Sequence, residues 1–171
     1  MGKKLKQSMT IAAVIAKDTM SEVLEFDKTY VETIGNVSFG SFPQEVLNEL
    51  FRDGRISSHF MERHVAYKFG LKHIPGCKTH DMEDPSDSSI KYEEKTFTAG
   101  GCKIMSSSMI GTGRNFNATT FQERAKRLIY VIVSVVNFPE IKIRFFKGED
   151  LALQFPNGEI KFSQHDALFR V

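Results

Sequence analysis

Nine consecutive residues, Leu128 to Val136 (LIYVIVSVV), are apolar but for Ser134 within them. The run falls well short of the ~20 residues that cross a bilayer, and it is too short and too rich in β-branched residues for a buried helix. A strand apolar on both faces must be covered on both faces, so it predicts the centre of a sheet with helices packed above and below. Ile141-Lys-Ile-Arg-Phe145 alternates and predicts a half-exposed neighbouring strand.

The rest of the chain supplies the covering elements. Thr19-Met-Ser-Glu22 has capping-box spacing, and Val23, Phe26, Tyr30, Val31 and Ile34 follow at helical intervals, which predicts a helix over 19–34 closed by Gly35. After Ser41-Phe-Pro43, the stripe Val46, Leu47, Leu50 and Phe51 predicts a second helix ending at Gly54. A third starts near Ser57 or Ser58 and runs to Gly70, with Met61, Val65 and Phe69 on its buried face. The period then changes. Ile74–Met82 and Ile90–Thr98 predict an antiparallel hairpin joined by the turn-rich segment Asp84-Pro-Ser-Asp87-Ser-Ser. Residues 99–117 are rich in Gly and Ser and lack a period; Thr119 or Thr120 then caps a short helix bearing Phe121, Ala125 and Leu128. This order predicts an α/β domain with a mixed central sheet, N-terminal helices and an irregular insertion after the hairpin.

With 171 residues, 41% of them apolar and 26% charged, disorder and fibrous folds are excluded and one domain is expected. Two cysteines, Cys77 and Cys102, do not make a disulfide framework. The start MGKKLKQS leads into no apolar segment with a small-residue cleavage site, so a reduced, cytoplasmic protein without a membrane span is expected.

Charge is partitioned along the chain. Residues 81–94 carry six acids against the single base Lys91, whereas residues 102–147 carry eight bases against Glu123 and Glu140. Such an order suits a cation site beside a polyanion site. Strand alternation puts Glu93 and Lys95 on one face, with Tyr92 and Glu94 on the other. A turn centred on Ser86 and Asp87 would set Asp81 opposite Tyr92 and diagonal to Glu93, within reach of a shared divalent cation; Asp84 would lie nearer the turn. Glu62 is in register with Val65, Ala66 and Phe69 and adds a third acid from the helix.

Asp81, eleven intervening residues and Glu93-Glu94-Lys95 resemble the PD-(D/E)XK motif of the restriction-endonuclease-like nuclease superfamily. The match runs over about 55–146, and the chain's size and Gly/Ser-rich insertion are similar to those of small type II restriction endonucleases. The resemblance implies an αβββαβ core. It also implies Mg²⁺ on Asp81 and Glu93, with Glu62 joining them, and Lys95 assisting the attacking water. The pattern departs in one place: His80, not Pro, precedes Asp81, which leaves Asp84, followed by Pro85, as a competing first ligand. On this reading 1–171 is a single nuclease domain, with N-terminal helices to about 54, the catalytic core over 55–146 and a C-terminal extension over 147–171.

The basic field completes the expectation. Lys103, Arg114, Arg124, Lys126 and Arg127 are suited to phosphates, and Ser106, Ser107, Ser108, Asn115 and Asn117 to bases or backbone; Arg114 is the favoured guanine reader. Double-stranded DNA is the expected substrate, cut by a homodimer at a palindromic site, with no small-molecule cofactor. A junction-resolving or repair nuclease of the same fold, and a non-catalytic DNA-binding protein, are the alternatives. A zinc site from His73, Cys77, His80 and Cys102 is disfavoured because strand alternation would set Cys77 and His80 on opposite faces, and no Ser/His/Asp or Cys/His nucleophile pattern stands out.

Overall fold

In the computed structural model, which describes residues 21–105 and 116–170, the apolar run forms β6 (Ile129–Ser134). It lies between β4 (Lys91–Phe97), to which it is parallel, and β7 (Glu140–Lys147), to which it is antiparallel. Every residue from Tyr130 to Ser134 is buried, as a central strand requires. The mixed six-stranded sheet is completed by β3 (Met82–Glu83) and β2 (Lys72–His73) beyond β4, and by β1 (Thr29–Thr33) beyond β7.

Two apolar layers flank the sheet. One joins Tyr92, Val131, Val133, Ile143 and Phe145 to Met61, Val65 and Phe69 of helix α2 (Gly54–Phe69). The other joins Phe97, Tyr130 and Ile132 to Phe121 and Ala125 of α3 (Ala118–Ala125) and to Leu151 of α4 (Gly148–Gln154). Odd and even residues of β4 and β6 therefore serve different layers. The remaining elements are α1 (Gln44–Phe51), the short β5 (Cys102–Lys103) paired with β8 (Glu159–Ile160), and α5 (His165–Leu168). Helix α2 begins at Gly54, earlier than the apolar stripe predicts, because the Asp53 side chain accepts from the Arg55 N–H. It ends where Gly70 takes the left-handed conformation, φ 65°.

The helix expected over 19–34 is not formed within the described residues: 21–28 are irregular and Thr29–Thr33 is strand β1, paired with β7. Thr29, Val31 and Thr33 are β-branched, and β7 offers an open ladder on that side. The Tyr30 hydroxyl donates to the Val23 carbonyl and accepts from the Glu25 N–H, closing a loop where the helix was expected. The N-terminal section is thus strand and helix, not helices alone. The C-terminal extension is no appendage either, since Phe155, Ile160, Leu168 and Phe169 fill the second core layer.

The hairpin is present but shorter and shifted by one residue. Met82 faces Tyr92, so the register carries Asp81 to Glu93. The cause is the turn: Asp84 Oδ1 accepts from Ser86 N, Ser86 Oγ and Asp87 N, and this Asx cap fixes where the chain reverses.

The junction of β7 and α4 is the tightest backbone approach. A Cβ on Gly148 would stand 2.0 Å from the Ala125 carbonyl oxygen and 2.7 Å from that of Leu128. Gly148→Ala is expected to lower the unfolding free energy by about 3 kcal/mol, read as a reduced urea midpoint with an unchanged m-value.

Candidate active site

Asp81 sits where the β3–β4 ladder ends. Its N–H donates to the Tyr92 carbonyl at 2.9 Å, and its Oδ2 accepts from the Glu94 N–H at 2.8 Å. The carboxylate thereby takes the place of a backbone partner on that edge of β4. On β4 itself, Lys95 Nζ donates to Glu93 Oε1 at 2.6 Å, as the two-residue spacing predicts. Glu93 is 6% exposed and the Lys95 side chain 18% exposed, so this ion pair is largely shielded from water.

The electrostatics of the cluster are coupled. Burial raises the Asp81 carboxyl, opposed by Lys95 and the Glu94 N–H and reinforced by the charge of Glu62. Burial also raises Glu93, with Lys95 pulling it back and Asp81 pushing it up. For Lys95 burial works the other way, but Glu93 and Asp81 outweigh it and hold the ammonium above the ordinary lysine value. Glu94 points away into the core, accepts from Thr96 Oγ1 at 2.9 Å, and is raised well above the usual range by its burial. A lysine whose ammonium form is favoured by neighbouring acids therefore lies beside carboxyls whose charge is disfavoured by burial.

Glu62 approaches this cluster without joining it. Its nearest polar partners are His73 Nε2 at 3.4 Å and His59 Nδ1 at 3.6 Å, yet its charge raises Asp81, Glu93 and Glu94. Asp84 spends its carboxylate on the turn, and its hydrogen bonds from Ser86 and Asp87 lower its pKa. Of the two competing acids, only Asp81 reaches β4.

The motif resemblance implies a magnesium ion at this position. Among the described residues no three or more His, Cys, Asp or Glu side chains stand together as an ion cage. The two carboxylates nonetheless fit Mg²⁺, which is usually held by one or two of them together with water and substrate phosphates. Asp81 commits Oδ2 to Glu94, and Glu93 commits Oε1 to Lys95; each keeps a second oxygen with no protein donor among the described residues.

The expected DNA-contacting residues are partly placed. Ser106, Ser107, Ser108, Arg114 and Asn115 lie outside the described residues. Lys103 is exposed on β5, and Arg124, Lys126 and Arg127 are exposed at the end of α3. Asn117 Oδ1 accepts from Thr120 N and caps α3. Arg144, another basic residue of this field, reaches back to the Leu168 carbonyl and lies over the Phe146 ring.

Two side-chain lines were not legible in the sequence. Residues 74–80 are not a strand, so alternation does not apply there and Cys77 Sγ lies 3.5 Å from His80 Nδ1, with His80 Nε2 2.9 Å from Glu83 Oε1. Elsewhere Ser134 Oγ meets His165 Nε2 at 2.8 Å, and His165 Nδ1 meets Asp166 Oδ1 at 3.0 Å. Ser134 is 3% exposed and the His165 ring packs among Phe97, Phe162 and Phe169, so this second line ties the C-terminal elements to the sheet and offers no reachable hydroxyl. Cys102 is buried in the second core layer and His73 faces Glu62, so the four candidate zinc ligands do not assemble. No family model, curated protein or solved structure matches the chain.

Because the fold raises Asp81 and Glu93, their burial favours the folded state below the ordinary carboxylate pKa. That advantage is lost as pH rises through the raised values. For the metal-free protein, Asp81→Asn, which keeps an acceptor for Glu94 N, should therefore gain more melting temperature over the unmodified chain, by a few degrees, at pH 7 than near pH 4, the ordinary carboxylate pKa. Scanning calorimetry at both pH values with chelator present reads this directly.

Proposed function

We propose that the protein is a Mg²⁺-dependent endonuclease of the type II restriction class that hydrolyses phosphodiester bonds at a short sequence in double-stranded DNA. The observation that carries this reading is the anchoring of the Asp81 carboxylate on the Glu94 N–H, on the same strand as the Glu93–Lys95 pair. The element order α2, β2, β3, β4, β5, α3, β6 supports it: with β5 set apart in its own two-stranded sheet with β8, the elements of the main sheet follow the αβββαβ succession that the motif implies. So does the basic end of α3, where Arg124, Lys126 and Arg127 offer charge to a phosphate backbone.

Asp81 and Glu93 would hold the ion, and Glu62 would act on it only through its charge. When bound, magnesium supplies a positive charge that polarises the scissile phosphoryl group. Lys95 does the chain's own share: its ammonium, fixed by Glu93, orients water toward the phosphorus and offsets the charge that accumulates on the phosphoryl oxygens. Water oxygen bonds to phosphorus, the bond to the 3′ oxygen breaks, and the products keep a 5′-phosphate and a 3′-hydroxyl. Two copies about a two-fold axis would match the two strands of a palindrome.

Incubation with plasmid DNA and Mg²⁺ tests the reading. Discrete fragments are expected; a smear, or selective cutting of branched DNA, would favour a repair or junction nuclease, and intact plasmid would favour a binding protein. Lys95→Ala should slow cleavage by about 10²–10³-fold while leaving DNA affinity in Ca²⁺ nearly unchanged. Replacing Lys126 and Arg127 with Ala should reduce the slope of log affinity against log salt by about 0.9 for each phosphate that is no longer neutralised.

A further inference from the structure

Helix α2 is apolar on two sides. Its inner stripe, Met61, Val65 and Phe69, is buried against the sheet, yet Ile56, Phe60 and Tyr67 form a second stripe on the opposite side. Phe60 is 57% and Tyr67 73% exposed, although a helix that is apolar all round belongs inside a structure. Helix α1 adjoins it. Only Arg52 and Asp53 join the two helices, the Phe51 ring lies 5.1 Å from that of Phe60, and α1 leaves Val46 and Leu50 exposed. These five exposed side chains present roughly 500 Å² of apolar surface. A standard interface takes about 800 Å² from each partner, a little over half of it apolar, so the face is large enough for one.

The charges divide between the helices and say what covers them. Helix α1 carries Glu45 and Glu49 and no base, whereas the exposed side of α2 carries Arg55, His59 and Arg63 and no exposed acid. Glu45, Glu49 and Arg63 have no ion-pair partner among the described residues. The acidic half repels nucleic acid and anionic lipid. What complements an acidic helix beside a basic one is the same surface turned about a two-fold axis, α1 against the second copy's α2 and α2 against its α1. We infer that this face pairs two copies of the chain, with Arg63 of each copy set against Glu45 and Glu49 of the other and the stripe of Ile56, Phe60 and Tyr67 buried between them. It is the interface that the two-fold pairing in the nuclease reading needs, but it is recognised from the surface alone and does not rest on cleavage.

Sedimentation velocity of the full chain, from micromolar to hundred-micromolar concentration, tests this without DNA. The unmodified chain is expected to be a dimer at the upper end. Tyr67→Asp, at the most exposed position of the stripe, should weaken the dimer about thirtyfold while circular dichroism shows the fold retained. Arg63→Glu should weaken it about tenfold. Adding Glu45→Lys and Glu49→Lys to that same chain should restore most of the loss, because each reversed helix again meets its opposite. A chain that stays monomeric at the highest concentration leaves the face to another occupant and overturns the inference. A dimer indifferent to both Tyr67→Asp and Arg63→Glu is built elsewhere and overturns it too. Weakening by Arg63→Glu without recovery in the triple variant overturns the pairing of α1 with α2. A dimer that follows the expected series upholds the face even where plasmid stays intact, a result that counts against the nuclease reading alone.

Discussion

A lysine and two carboxylates are held together on the inner edge of a sheet, and that local electrostatic constraint governs how the surrounding structure is built. The Glu93–Lys95 pair lies on a strand covered on both faces, where ions are costly unless paired and hydrogen-bonded. The pair is tolerable because β4 is fixed by its parallel register with β6 and by Asp81 on its other edge. Removing either support would leave a desolvated charge.

Burial raises three acids, Asp81, Glu93 and Glu94, and Glu94 is the one turned into the core. Asp81 and Glu93 repel one another, and a divalent cation, as proposed, would relieve that repulsion. On the proposed reading, fold and function would meet in this feature: the sheet buries unfavourable charge on β4, and a divalent cation would offset it. The interruption of β3 after two residues is part of the same design, since a longer ladder would have used the Glu94 N–H and left Asp81 without an anchor.

The central strand and its half-exposed neighbour were legible because burial on both faces, or on one, writes itself directly into the apolar pattern of 128–136 and 141–145. Helix α2 was legible through its stripe and its glycine stop, but its start depended on the Asp53 cap, which the stripe does not carry. Residues 29–33 misled because Val23, Phe26, Tyr30 and Ile34 satisfy helical spacing, while the deciding factor, an unfilled edge of β7, is a property of the assembled sheet. At the site, the pairing of Glu93 with Lys95 followed from spacing alone. The one-residue register shift came from side-chain caps in the turn, and the contact between Cys77 and His80 from a segment that is not a strand. The helix-capping role of Asn117 was likewise not read from the sequence, because it depends on where α3 begins.

Asp81 and Glu93 jointly holding one divalent cation next to Lys95 is the claim on which the proposed chemistry rests. Anomalous diffraction from crystals soaked in Mn²⁺ tests it most directly. A single strong peak bridging the two carboxylates is expected, and it should be lost in Asp81→Asn. A soaked crystal with no peak between them, and with manganese bound only at other acids such as Asp84 and Asp87, would contradict it.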